Sequence, residues 1–269
     1  MWFCIIVRVI ARVYDDPRKP GFSLIRGTKR PATAMYYTQC LLPVVLPVIF
    51  WAAYHYHKDH QLPEPAGHLA FAFLLGIAAF FLGLVFYAAL DLVGLRFDAY
   101  LLAESNLAGL LAYCLFVIGP FEELAKLVPF LLLVLRFKEF DEPIDGIIYA
   151  SFIALGFGTI ENFYYLQYLS GVEAWGRAFA GPLLHIVFAS IWGYYIGRAY
   201  LCGKSLLRIT VLAFAASAIV HGLYDFLVLG MEPELLPIPA AIITGIWIWR
   251  LMRIRDLHAL PPGPCPEPE

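Results

Sequence analysis

The chain has 269 residues, 61% of them hydrophobic and only 15% charged, with a mean hydropathy of +0.72. Soluble domains run at about 45–50% apolar and about 25% charged, so the composition is that of an all-α, polytopic membrane helical bundle whose first partner is the lipid bilayer. A net charge of −2 gives no reason to expect nucleic acid or an acidic substrate as a partner.

In chain order, "MWFCIIV" is apolar but short, and no basic stretch precedes it, so it does not read as a cleavable signal. With Arg8 and Arg12 it suits a segment lying in the membrane interface, or an N-terminal packing segment. Residues 1–37 therefore read as a basic, interfacial N-terminal segment, 38–254 as the membrane domain, and 255–269 as a Pro-rich tail expected to be disordered.

A spanning helix needs roughly 20 apolar residues. About seven stretches qualify, near 38–54, 68–92, 106–135, 144–168, 178–200, 206–229 and 236–252. The third is too long: some 30 residues at about 1.5 Å each would reach ~45 Å across a core of ~30 Å. Gly119-Pro120 and Pro129 interrupt it, and proline removes an intrahelical hydrogen bond. A bend or break is expected there, beside Glu122.

Arg250, Arg253 and Arg255 put the C-terminus in the cytoplasm, together with the loops carrying Arg136, Lys138, Arg198, Lys204 and Arg208. The acidic loop with Glu232 and Glu234 is then outside. Counting back seven spans puts the N-terminal segment outside as well, against its seven Lys/Arg. The five cysteines, Cys4, Cys40, Cys114, Cys202 and Cys265, are scattered, with no CxxC spacing. They suggest neither a disulfide framework nor a cysteine metal site, and Cys265 stands too far from the end for a prenylation box.

Ionisable residues inside an apolar run are costly and mark function by default. Four groups stand out: Glu122, Glu123 and Lys126 in "GPFEELAKLVPF"; Glu161 and Asn162 in "GTIENFYYL"; His185 in "GPLLHIVFASIW"; His221 and Asp225 in "IVHGLYDFL". Glu122–Lys126 and His221–Asp225 are spaced i,i+4, so each pair shares a helix face. Lipid accepts none of these faces, so they should converge on one cavity. Each group alone could be structural, as a neutralised Glu–Lys pair, a satisfied interhelical histidine or an Asp–His pair. The Gly156–Gly158 stretch suits close helix packing, not phosphate binding.

Together the four groups have the parts of a hydrolytic centre: carboxylates to take a proton from water, and histidines to stabilise an oxyanion or shuttle a proton. Two histidines and a carboxylate could equally hold a zinc ion with an open position for water. No HExxH helix is present. A non-catalytic scaffold or a transporter with a buried polar cavity is the alternative class, disfavoured by the lack of an inverted repeat.

"FEELAK" resembles the EExxK motif of the PrsW family of intramembrane proteases. "DEPIDGIIYASFIALGFGTIENFYYL" is similar to that family's second block, and "HIVFASIWGYYIG" and "HGLYDFL" to its third and fourth. "YHKDHQLPEP" looks like its early loop. The resemblance covers roughly residues 40–230.

It implies an endopeptidase that cleaves a membrane-anchored protein substrate in or near the bacterial cytoplasmic membrane, such as an anti-sigma-factor-like protein at site one. By matched position it implies Glu122 and Glu123 as catalytic carboxylates and His221 as the essential histidine. Glu161, His185 and Asp225 are then supporting groups, with Lys126 and Asn162 beside them. A divalent metal such as zinc would be drawn from His185, His221, Glu161 and Glu122; a metal-free, glutamate-activated water fits the motifs equally. The distantly similar CAAX-protease group carries FxxxH where Phe157–Glu161 reads FxxxE, which sets this chain apart from prenyl-protein processing.

Overall fold

A computed structural model describes residues 33–58, 62–166, 169, 171–259, 263 and 265. The expected interfacial segment at the N-terminus lies largely outside them, as does most of the Pro-rich tail.

The described residues form helices and no strands. In chain order the α-helices are α1 (Thr33–Lys58), α2 (Ala66–Leu92), α3 (Ala99–Ser105), α4 (Leu107–Tyr113), α5 (Gly119–Leu132), α6 (Pro143–Tyr165), α7 (Gly171–Leu201), α8 (Leu206–Gly230) and α9 (Pro237–His258). Each of the seven expected apolar stretches falls on this set. Four helices, α2, α6, α7 and α8, are long and apolar enough to cross a membrane on their own. The third stretch is not one such helix because it is divided, and α9 carries Arg250, Arg253, Arg255 and Asp256 in its second half.

The division has a local cause. Asn106 ends α3, and its side chain accepts the Gly109 N–H to start α4, so two short helices form where one would otherwise run on. Between α4 and α5 the backbone widens into a π turn, Cys114–Ile118, where the Gly119 N–H reaches back to the Cys114 carbonyl. Pro120 follows at once in the first turn of α5, where its missing N–H is tolerated. The expected interruption is therefore a π turn before Glu122. Pro129 sits inside α5 without ending it.

α6 is the axis of the bundle. In its apolar window 89% of residues are buried, against 33% in α2 and 28% in α8, so α6 is wrapped by protein while those two present most of their surface outward. It packs against α7, α2 and α1. A capping box starts it, with Asp145 Oδ2 accepting the Glu142 N–H at 2.7 Å and Pro143 in its first turn.

Helix–helix contact in lipid depends on close backbone approach. The start of α5 meets α8 in this way: a Cβ on Gly119 would lie 2.3 Å from the Ala218 carbonyl oxygen, and one on Gly222 2.2 Å from that of Cys114. The contact sits beside Glu122 and His221 and sets their separation.

Across the bundle, Arg250 is fully buried. It donates to Ser190 Oγ (2.8 Å) and Ser151 Oγ (3.1 Å), lies 2.9 Å from His55 Nδ1, and stacks over Trp247, joining α9 to α7, α6 and α1. Spacing alone suggests no disulfide, but the structure pairs Cys202 with Cys265 at a Cα separation of 5.1 Å. Cys202 is in the α7–α8 turn and Cys265 follows α9. These segments meet across a separation of 63 residues that no short-range motif reports. Cys114 is buried and free.

Gly222→Ala should force the α5 and α8 backbones apart and destabilise the protein by about 1–3 kcal/mol. Thermal unfolding in detergent checks this, with Gly67→Ala, where a Cβ meets nothing within 4 Å, as the unaffected control.

Candidate active site

Four helices supply the charged and polar side chains named from the sequence, and the fold gathers them. The first turns of α5 carry Glu122, Glu123 and Lys126; the end of α6 carries Glu161 and Asn162; α7 carries His185; α8 carries His221 and Asp225.

The two adjacent glutamates have different surroundings. Glu123 is fully buried and surrounded by donors. Its Oε1 accepts from Lys126 Nζ at 2.5 Å and from His221 Nδ1 at 2.8 Å. Its Oε2 accepts from Trp192 Nε1 at 2.9 Å and lies 3.2 Å from Ser217 Oγ. Both oxygens of the Glu123 carboxylate are therefore engaged. Glu122 is partly accessible, and its nearest charged neighbour is His221 Nε2 at 3.7 Å, beyond hydrogen-bonding distance.

A carboxylate only accepts, so Nδ1 of His221 carries a proton toward Glu123, and Nε2 faces Glu122 and Asp225 Oδ2 (3.5 Å). The anchor of His221 is thus Glu123 from another helix, not Asp225 one turn further along its own. The ring also stacks on Phe188, with centroids 4.5 Å apart.

His185 lies alongside, its ring centroid 5.6 Å from that of His221. Its Nε2 is 2.6 Å from Glu161 Oε2 and its Nδ1 3.2 Å from Lys126 Nζ. Glu161 is shared with Arg177 Nη2 at 2.9 Å. Lys126 also lies 4.8 Å over the Phe157 ring. Asn162 joins α6 to α7, donating to the Ala178 carbonyl at 3.0 Å and accepting from Arg177 Nε at 3.3 Å.

One donor atom from each of Glu122, His185 and His221 falls within a 4.8 Å group, a set that could hold a metal ion. His221 suits that role directly, because metal-bound histidines commonly donate their other N–H to a carboxylate. His185 would first give up a partner, since both ring nitrogens are engaged.

Three members of the site escape sequence reasoning. Trp192 and Ser217 look like ordinary residues of apolar helices. Arg177 looks like a charge near a helix start. Only Arg177 carried a usable signal, being an ionisable residue within reach of a span.

Residues 64–252 match the PrsW family of intramembrane metalloproteases. The chain belongs to that family. It is similar to proteins named Protease PrsW from Oceanobacillus iheyensis (30% identity, 78% of this chain and 92% of the relative) and Geobacillus kaustophilus (33%, 70% and 79%). A third, from Bacillus subtilis, is 29% identical over 70% of this chain and 82% of its own length. No solved structure matches the chain. It is an integral membrane protein and an intramembrane protease.

Removing one partner of a buried ion pair costs about 3–5 kcal/mol because the other charge is left behind. Lys126→Met should therefore lower stability more than the double variant Glu123→Gln/Lys126→Met does. A double-mutant cycle on thermal unfolding measures the difference.

Proposed function

We propose that this protease hydrolyses a peptide bond of a membrane-anchored protein, with Glu122 as the carboxylate that meets the reacting water and Glu123 as the carboxylate that orients His221. The observation that carries this reading is the asymmetry of the pair. Glu123 has both carboxylate oxygens hydrogen-bonded and no exposure, whereas Glu122 is partly accessible and its nearest charged-group contact, His221 Nε2, is 3.7 Å away.

His221, with Nδ1–H fixed, offers Nε2 to the reaction. Asp225, 3.5 Å from that nitrogen, adds negative charge on the same side. His185 and Glu161 form a second His–carboxylate pair, and Arg177 balances the charge of Glu161 at the rim. The donor chemistry of Glu122, His185 and His221, two imidazoles and a carboxylate, fits a catalytic divalent metal such as zinc. When bound, such an ion polarises the scissile carbonyl and acidifies a coordinated water. Glu122, His185 and His221 would hold the ion.

We further propose seven membrane crossings, by α1, α2, α4 with α5, α6, α7, α8 and α9, in the bacterial cytoplasmic membrane with the C-terminus inside. The alternation supports a site nearer the outer face, because Glu161 is near the end of α6, Arg177 near the start of α7 and Asp225 near the end of α8. An outward-opening site suits a membrane-anchored substrate cut on its external side, of the anti-sigma-factor kind that the motif resemblance implies.

Glu122→Gln should abolish cleavage of a membrane-tethered reporter while leaving protein level and Tm near wild type. Full activity of that variant would exclude the assignment. Metal content of the purified protein should fall in His221→Ala, and chelation should remove metal and activity together. Activity that survives quantitative loss of metal would establish a metal-free mechanism.

A further inference from the structure

Trp192 lies on α7, fully buried, in the main hydrophobic core, where its ring meets Phe130 edge-on with centroids 5.0 Å apart. A buried indole N–H needs an acceptor. Here it is Glu123 Oε2, at 2.9 Å. The other donor to that oxygen, Ser217 Oγ, has a single proton and a nearer acceptor in the Phe188 carbonyl, at 2.8 Å against 3.2 Å. Trp192 is therefore the donor that holds Oε2. With Oε2 held from α7, Oε1 is turned toward His221 Nδ1 on α8.

We infer that Trp192 is a positioning residue of the protease: its indole N–H fixes the Glu123 carboxylate, which fixes the ring orientation and tautomer of His221. This rests on the reading of His221 as a working histidine. It adds that a side chain with no contact to water or substrate sets the rate.

Removing a hydrogen-bond partner behind an active-site histidine typically costs 10–100-fold in activity. In vesicle-reconstituted protein with a membrane-tethered reporter, Trp192→Phe keeps an aromatic ring and removes the N–H. It should lower kcat by about 10–100-fold with KM changed by less than about two-fold. Phe130→Leu loosens the same packing without touching the bond; it should lower Tm yet keep kcat within about two-fold of wild type.

The inference is overturned if Trp192→Phe keeps wild-type kcat, or if Phe130→Leu loses as much kcat as Trp192→Phe. Failure of Trp192→Phe to accumulate overturns it too, since packing then outweighs the bond. Glu122→Gln and His221→Ala, run alongside, separate the two levels. If both are fully active, the proposed mechanism fails; if both are inactive while Trp192→Phe is not, only the role of Trp192 fails.

Discussion

The organisation of the polar centre depends on one buried carboxylate. A glutamate with no exposure in an apolar bundle is tolerated only if its oxygens are engaged, and Glu123 is held from three helices: by Lys126 on its own helix, Trp192 on α7 and His221 on α8. The three donors approach from different elements, so the carboxylate acts as a junction. It fixes the rotation of α5 against α7 and α8. That rotation delivers Glu122, the next residue back, toward the face of His221 that Glu123 leaves free. Adjacent residues on a helix point in different directions, so one glutamate can serve the fold and its neighbour the chemistry.

Backbone geometry meets the same requirement. For Glu122 and Glu123 to reach the interior, α5 must start close to α8, and the π turn at Cys114–Ile118 with Gly119 and Gly222 at the contact provides that approach. An isolated π turn is an uncommon local choice that recurs at functional sites. Its position immediately before the glutamates ties a departure from regular helix to the site that uses it. α6 contributes rigidity: enclosed by its neighbours along most of its length, it presents Glu161 to His185 from a helix with little freedom to move.

Much of this was legible in the chain itself. Every expected apolar stretch falls on a helix, because hydropathy over some twenty residues reports the solvent directly. The charged residues of the site were visible because lipid makes a buried charge conspicuous. Trp192 and Ser217 were not, since an aromatic or a serine in an apolar helix is ordinary and its partner sits on another helix. The His221–Asp225 spacing is met at 3.5 Å, but the closer partner of His221 could not be read from it. A sequence reports neighbours within a helix, while the 2.8 Å contact to Glu123 spans 98 residues. The Cys202–Cys265 pair was hidden in the same way.

A second buried polar group in the same bundle contrasts with the candidate site. Arg250 is fully buried and bonded to Ser190, Ser151 and His55. Arg250 Nη1 and His55 Nε2 are buried without a partner, and both residues have zero exposure. The group braces four helices, α1, α6, α7 and α9. The centre around Glu122 has the opposite character. Its donors are concentrated on Glu123 and Glu161, and the side chains of Glu122 and Asp225, 3.7 and 3.5 Å from His221 Nε2, keep 14% and 21% exposure. Carboxylates that water can reach are what the proposed hydrolysis requires, and in this bundle they occur beside the histidine that Glu123 holds in place.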